Sequence, residues 1–210
     1  MVTAHNVDPG RDSSPGALIG VLGVQGDVAE HRRLLEVVGA RTRRIRRPEE
    51  LQGLDGLLIP GGESTTIWRL CEDFGLMNPI SGLIDEGMPT FGSCAGMIML
   101  ADTILDGRPD QRSFGGLDIT VRRNAFGRQV DSFEAGLDIP AIGQPAFPGV
   151  FIRAPWVERT GPAVDVLAQV PGPTPHPVAV RQGVVLATAF HPEVTDDPRM
   201  HALFVAMAHG

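Results

Sequence analysis

The 210-residue chain contains no lysine and no tyrosine, so all 18 of its basic side chains are arginine. Without a lysine amine, no side chain can form an imine with a carbonyl substrate, and a lysine general base is equally excluded. Cysteine is nearly as scarce, with only Cys71 and Cys94. Two thiols build no disulfide scaffold, and such sparing use points to a reducing compartment, the cytoplasm by default. No apolar run approaches the ~20 residues that a bilayer requires, so no membrane partner is expected. Aromatics make up 5% of the chain and its net charge is −7. That balance lacks the electrostatic footprint of a nucleic-acid binder. Arg41, Arg43, Arg44, Arg46 and Arg47 do form a basic run, with a smaller one at Arg122-Arg123. It reads as a solvated strand edge or as a protein-docking patch.

The length suits one domain with a full core and is short for two. Residues 1–16, polar and broken by Pro9, Gly10, Pro15 and Gly16, read as a loose tail, leaving 17–210 as the domain. The apolar run 17–23 suits a buried strand. Asp27 is placed to cap the next helix, with Glu30 completing a capping box and Gly39 closing it. His31, Leu34, Leu35 and Val38 share its inner face. Strands follow at Arg41–Ile45 and Gly56–Ile59, then a helix capped by Ser64 or Thr65 that runs through Cys71, and a short helix over 79–85. Thr90-Phe91 ends a strand leading to Cys94, with a helix over 95–101 behind it. This alternation predicts an α/β fold: one domain with a mostly parallel central sheet flanked by helices. Beyond residue 115 the texture changes. Segments near 117–122, 130–137, 150–153, 164–170, 177–181 and 184–190 predict antiparallel additions, with a hairpin turn at Gln182-Gly183. Residues 138–149 and 171–177 read as surface loops, and 199–207 as a final amphipathic helix.

Cys94 lies in the string Phe91-Gly92-Ser93-Cys94-Ala95-Gly96, at a predicted strand-to-helix turn. A nucleophile on so sharp a turn needs small neighbours, because the backbone there is strained and crowded. The following helix aims its N-terminal amides at the sulfur and favours an anion there. An inert buried cysteine is the other reading of the pentapeptide. Far along the chain, Phe190-His191-Pro192-Glu193 follows an apolar strand, where open α/β sheets place their ligands. In extended backbone, residues i and i+2 project to one side, so Glu193 can hold the far ring nitrogen of His191. A histidine at a strand end is by itself commonly a solvated surface group. Joined to Cys94 and Glu193, it completes the parts for acyl transfer through a thioester.

Gly61-Gly62-Glu63-Ser64 also follows a strand, and its glycine N–H groups, with that of Ala95, are candidates for holding an oxyanion. A plain glycine turn before a capped helix is the alternative. Arg123 and Arg153 each end a strand-like segment, and either could bind a substrate carboxylate bidentately. Spacing does not select them over other arginines. Cys71, among Leu70, Phe74 and Leu76, reads as core. His5, His176 and His209 fall in loops or tails, and His31 and His201 on helices. None clusters with cysteine or carboxylate at metal-ligand spacing, so no metal is expected.

Six strings together resemble the family of glutaminase subunits of pyridoxal 5′-phosphate synthase, a branch of the class I, triad-type glutamine amidotransferases. They are GVLGVQGDVAEH (20–31), PGGESTT (60–66), FGSCAGM (91–97), VRRNAFGRQVDSFEA (121–135), FIRAP (151–155) and FHPE (190–193). The cysteine elbow and the HPE string mark the broad class, and the 121–135 segment the branch. The resemblance implies a flavodoxin-like fold and hydrolysis of L-glutamine, with no cofactor. It casts Cys94 as nucleophile, His191 as acid and base, Glu193 as its orienting group, and Gly62 and Ala95 as oxyanion donors. It places substrate at Gly62, Glu63, Ser64, Arg123, Ile152 and Arg153, and the partner interface at Gln25. The partner it implies is a lysine-bearing synthase subunit that receives the ammonia, which fits the missing lysine here. The leader and the 138–149 loop look longer than the family norm. A glutaminase serving another synthase, such as that of imidazole glycerol phosphate, is the nearest alternative, and the 121–135 segment argues against it. Intact Cys94, His191 and Glu193 argue against a non-catalytic regulator. A cysteine peptidase-like hydrolase on the same architecture is a third reading.

Overall fold

Short apolar runs bounded by turn residues become strands, and those covered on both faces are buried almost throughout. This holds for β1 (Leu18–Leu22), β3 (Gly56–Ile59) and β4 (Thr90–Ser93). The computed structural model describes residues 16–123, 132–170 and 175–209. Nearly all of the expected tail, the middle of the 121–135 string, and 171–174 of one expected loop lie outside the described residues.

With β2 (Arg41–Ile45) and β12 (Val185–Thr188), the three buried strands pair in parallel. β11 (His176–Gln182) and β10 (Asp165–Val170) extend the sheet by antiparallel pairing. The seven-stranded order is β10-β11-β12-β4-β3-β1-β2. Strand alternation then assigns the faces. Phe91 and Ser93 project toward α1 (Val28–Val37) and α5 (Arg199–Ala208), where the Phe91 and Phe204 rings meet at 5.7 Å. Gly92 projects the other way, onto α4 (Ala95–Leu100), which packs with α2 (Ser64–Asp73); α3 (Met77–Asp85) lies beside α2. Each fully buried phenylalanine contributes on the order of 1.5–3 kcal/mol. Phe91, Phe190 and Phe204 are all in that class.

Two smaller sheets complete the fold. β5 (Ala101–Leu105), β6 (Leu117–Arg122) and β9 (Trp156–Thr160) form one, and β7 (Ser132–Leu137) with β8 (Phe147–Ile152) the other. The hairpin is tied to the main sheet where His191 N–H donates to Val150 O at 2.9 Å.

Several local expectations need correction. Asp27 stands at the α1 N-cap but makes no capping hydrogen bond, so no capping box forms; its side chain lines a cavity instead. Glu63, not Ser64 or Thr65, caps α2, accepting from the N–H groups of Thr65 and Thr66. α3 begins before Pro79, which the first turn tolerates because its N–H groups have no helical partner. α4 stops at Leu100 and the chain passes straight into β5. β8 takes up 147–149, shortening the expected loop, and pairs Phe147 with Leu137. β9 was not foreseen, since Glu158 and Arg159 obscure its alternation. The basic run begins on edge strand β2, where Arg41, Arg43 and Arg44 donate to backbone carbonyls, and Arg46 and Arg47 follow it. No helix among the described residues is long and apolar enough to cross a membrane.

Candidate active site

Four adjacent parallel strands deliver their C-terminal ends to one place: β1 leads to Gln25 and Asp27, β3 to Gly61-Gly62, β4 to Cys94 and β12 to His191. This is where open α/β sheets form their crevice. Cys94 has φ 48 and ψ −103, a strained conformation for a side-chain-bearing residue. Its N–H donates to Thr188 O on β12 at 2.8 Å, which anchors the elbow. The flanking glycines answer steric need. A Cβ on Gly92 would lie 2.6 Å from Gly96 C and O, and one on Gly96 would lie 2.2 Å from Ile59 O.

His191 and Cys94 line one cavity, and behind them the His191 ring is held by Glu193, with Nδ1 2.6 Å from Oε1. His191 and Glu193 are both buried. The i, i+2 reach is therefore real, but its route differs from the one expected: a 3₁₀ turn over Pro192–Val194, not extended backbone, brings the carboxylate round. Burial opposes a charge on His191, yet Cys94 and Glu193 outweigh it and push the imidazole up to about 10. Cys71 contrasts with this. Buried in the core, its thiol is pushed up to about 12, which leaves it inert.

Beside Cys94 lies a cavity of about 360 Å³ lined by Gln25, Gly62, Glu63, Ser64, Ala95, Arg123, Ile152, Arg153 and His191, with Asp27 and Ile98. The site residues implied by the family resemblance thus meet here, except Glu193, which stands behind His191. A larger groove of about 410 Å³ opens between Leu51, Leu54, Pro79 and Leu83, but no nucleophile lines it. Glu63 caps α2 and also accepts from Arg123 Nη2 at 2.8 Å. Its burial is overcome by hydrogen bonds from Thr66 and Thr65, which hold its carboxyl below the usual range. Arg153 has φ 45, so the chain kinks as it leaves β8. Its guanidinium lines the cavity, where a guanidinium can take a carboxylate bidentately.

Four features escaped the sequence reading. A Cβ on Gly61 would lie 2.6 Å from His191 Cε1 and 3.5 Å from Cys94 Cβ, so only glycine lets β3 approach both. Gln111 accepts from Arg123 Nη1 at 3.1 Å and donates to Ser64 Oγ at 3.2 Å, bridging two cavity residues. Gln25 Oε1 accepts from Glu63 N–H at 2.9 Å and so steadies the glycine turn. Finally, His31 and His201 do cluster with a carboxylate: His31 Nε2 lies 3.3 Å from Glu193 Oε2, and its Nδ1 2.9 Å from His201 Nε2. Only the packing of α1 on α5 brings them together. Asp27, His191 and Glu193 also offer ligand atoms within 4.8 Å of one another. A metal there would have to displace the proton shared by His191 and Glu193, on which their pairing rests.

Burial drives His201 down to about 4, with Arg33 adding repulsion, and lowers His31 well below 6.5 through burial, then His201 and His191. An unfolded histidine takes its proton near 6.5 and the folded His201 only near 4. Stability is therefore lost as pH falls from about 6.5 toward 4. The raised His191 does not offset this, because its contribution is already complete below 6.5. For His201 alone the loss between pH 7 and pH 5 comes to about 2 kcal/mol. Thermal unfolding at the two pH values should show a Tm drop of about 4–8 °C. A Tm unchanged at pH 5 would contradict the neutral, buried pair.

Known proteins share both sequence and fold with this chain. The model of the SNO glutamine amidotransferase family matches residues 21–209. Pyridoxal 5′-phosphate synthase subunit PdxT of Frankia alni is 59% identical over 190 residues, covering 90% of this chain and 94% of that protein. The same subunit of Salinispora arenicola is 60% identical over 189 residues, covering 89% and 94%. A crystal structure of a glutamine amidotransferase, 47% identical, superposes with a TM-score of 0.84 over 91% of this chain and 99% of that one. The chain belongs to the SNO glutamine amidotransferase family.

Proposed function

We propose that the chain hydrolyses L-glutamine to L-glutamate and ammonia, and hands the ammonia to a synthase subunit that builds pyridoxal 5′-phosphate. The observation that carries this reading is the convergence of Cys94 and His191, backed by Glu193, on a cavity that Arg123 and Arg153 also line. The 59–60% identity to subunits named for pyridoxal 5′-phosphate synthase supplies the pathway.

The Cys94 thiolate attacks the side-chain carboxamide carbon, and the N–H groups of Gly62 and Ala95 hold the oxyanion. His191, protonated by virtue of its two partners, gives its proton to the departing nitrogen, so ammonia leaves and a γ-glutamyl thioester remains. The neutral imidazole then takes a proton from water, whose oxygen attacks the thioester. Glutamate departs and Cys94 is restored. Glu193 keeps the ring aligned through both steps. Arg153 and Arg123 receive the α-carboxylate, with Gly62, Glu63, Ser64 and Ile152 shaping the remaining contacts.

The chain lacks lysine, so imine chemistry on a sugar phosphate falls to a lysine-bearing partner. Gln25, half-buried beside the glycine turn, is the contact we assign to that partner. Two free, buried cysteines fit a cytoplasmic protein. We assign residues 17–210 to the glutaminase domain, of which the family match covers 21–209.

Ammonia release from glutamine, with and without the synthase subunit, tests this. Activity should rise sharply with the synthase and appear as product nitrogen. Substantial activity in the free chain, unchanged by the synthase, would count against coupling. Gly61→Ala should lower kcat of the complex about 10²-fold, because the new methyl displaces the His191 ring. Retention of kcat within twofold would show that the ring is not confined there.

A further inference from the structure

Glu193 is 1% exposed, and a carboxylate so buried needs partners for both oxygens. Oε1 has His191 Nδ1 at 2.6 Å. Oε2 has no aligned hydrogen bond among the described residues, and the group facing it is His31 Nε2, at 3.3 Å. That same nitrogen lies 3.0 Å from Ser93 Oγ, one residue before the cysteine. His31 therefore faces both the residue that orients His191 and the strand end that carries Cys94.

The protons on this chain of rings can be deduced. His201 Nδ1 is buried without a partner among the described residues. A buried lone pair left unmatched is tolerated better than a buried N–H. His201 thus keeps its proton on Nε2 and donates it to His31 Nδ1, 2.9 Å away. His31 must then carry its own proton on Nε2, the atom between Ser93 Oγ and Glu193 Oε2. Burial keeps both rings neutral. A neutral donor can support the carboxylate without competing with His191 as its cationic partner.

We propose that His31 is a positioning residue for glutamine hydrolysis: its Nε2–H, fixed by His201 and donated to Ser93 Oγ, keeps its positive end 3.3 Å from the outer oxygen of Glu193, so that the inner oxygen stays on His191. This rests on the reading of the site as a glutaminase. The simpler view, that the two histidines merely fill space under Phe91, predicts that any side chain of similar size will serve.

Three variants separate the two views, each assayed in the complex with the synthase. His31→Leu keeps bulk and removes the donor. His31→Gln places an amide N–H near the imidazole Nε2, whereas His31→Asn places one near Nδ1. A positioning role predicts that Leu and Asn lower kcat about 10²-fold with KM for glutamine within twofold, and that Gln restores kcat to within about fivefold of the parent. Equal losses in all three, kcat within threefold in all, or a matched change in KM would overturn it. The Asn and Gln pair carries the test if the Leu variant does not fold. The downfield NMR proton of the His191–Glu193 bond, read in the free chain, is a second measure. It should move or broaden in Leu and Asn and persist in Gln, and an unaltered resonance in all three contradicts the proposal. This signal does not depend on turnover, so a complex that fails to hydrolyse glutamine while the resonance responds would indict the functional reading rather than the role of His31.

Discussion

Replacing Cys94 by alanine is expected to lower glutamine hydrolysis by the assembled synthase at least about 10⁴-fold, with the complex still forming. No second thiol lines the cavity. Cys71, the other thiol, is buried in the core and pushed up to about 12, and no lysine exists to take its place. The oxyanion donors and the arginines remain in the variant, so residual turnover above that of water is expected rather than zero. His191 loses one of the two groups that raise its imidazole, so its proton should leave at a lower pH in the variant. An NMR titration of His191 checks that shift, and ammonia release checks the rate. Hydrolysis within tenfold of the parent would remove Cys94 from the mechanism.

The second large effect is on stability. Gly96→Ala should cost about 2–4 kcal/mol, because the added Cβ would lie 2.2 Å from Ile59 O on β3. That obstacle is backbone in the middle of the sheet, not the far end of a flexible side chain. α4 must move off the sheet or β3 must bend, and either disturbs the Cys94 elbow as well. Urea unfolding should show the midpoint falling with little change in slope. A loss below about 0.5 kcal/mol would mean that α4 has slack, and that the G-x-C-x-G spacing is not a packing requirement here.

Elements whose signals are local were legible in the sequence. β1 and β3 announce themselves as short apolar runs followed closely by glycine, β4 by the small-residue turn that it enters, and the crossover order places their C-terminal ends together. Cys94, His191 and Glu193 could therefore be paired from chain position and strand ends alone. The substrate arginines could not. Arg123 and Arg153 look like any other arginine at the end of a strand, and the resemblance to a family named them before the cavity brought them side by side. β9 stayed hidden because a solvent-facing Glu158-Arg159 pair masks the period-2 pattern. The caps failed for a related reason: Asp27 and Glu63 sit at helix starts, but each answers a tertiary demand, one at the cavity and the other shared with Arg123. His31 and His201 show the limit most plainly. Each looks like an ordinary helical histidine, and only the packing of two helices remote in sequence turns them into a buried chain behind Glu193.

Intact-protein mass spectrometry after treatment with a glutamine-analogue electrophile, in the presence of the synthase subunit, addresses the thioester mechanism most directly. A single adduct should form, map to Cys94, and vanish when His191 is changed to Asn or when glutamine is in excess. Labelling of Cys71, or an unlabelled Cys94 in a correctly assembled complex, would contradict a nucleophile at the end of β4.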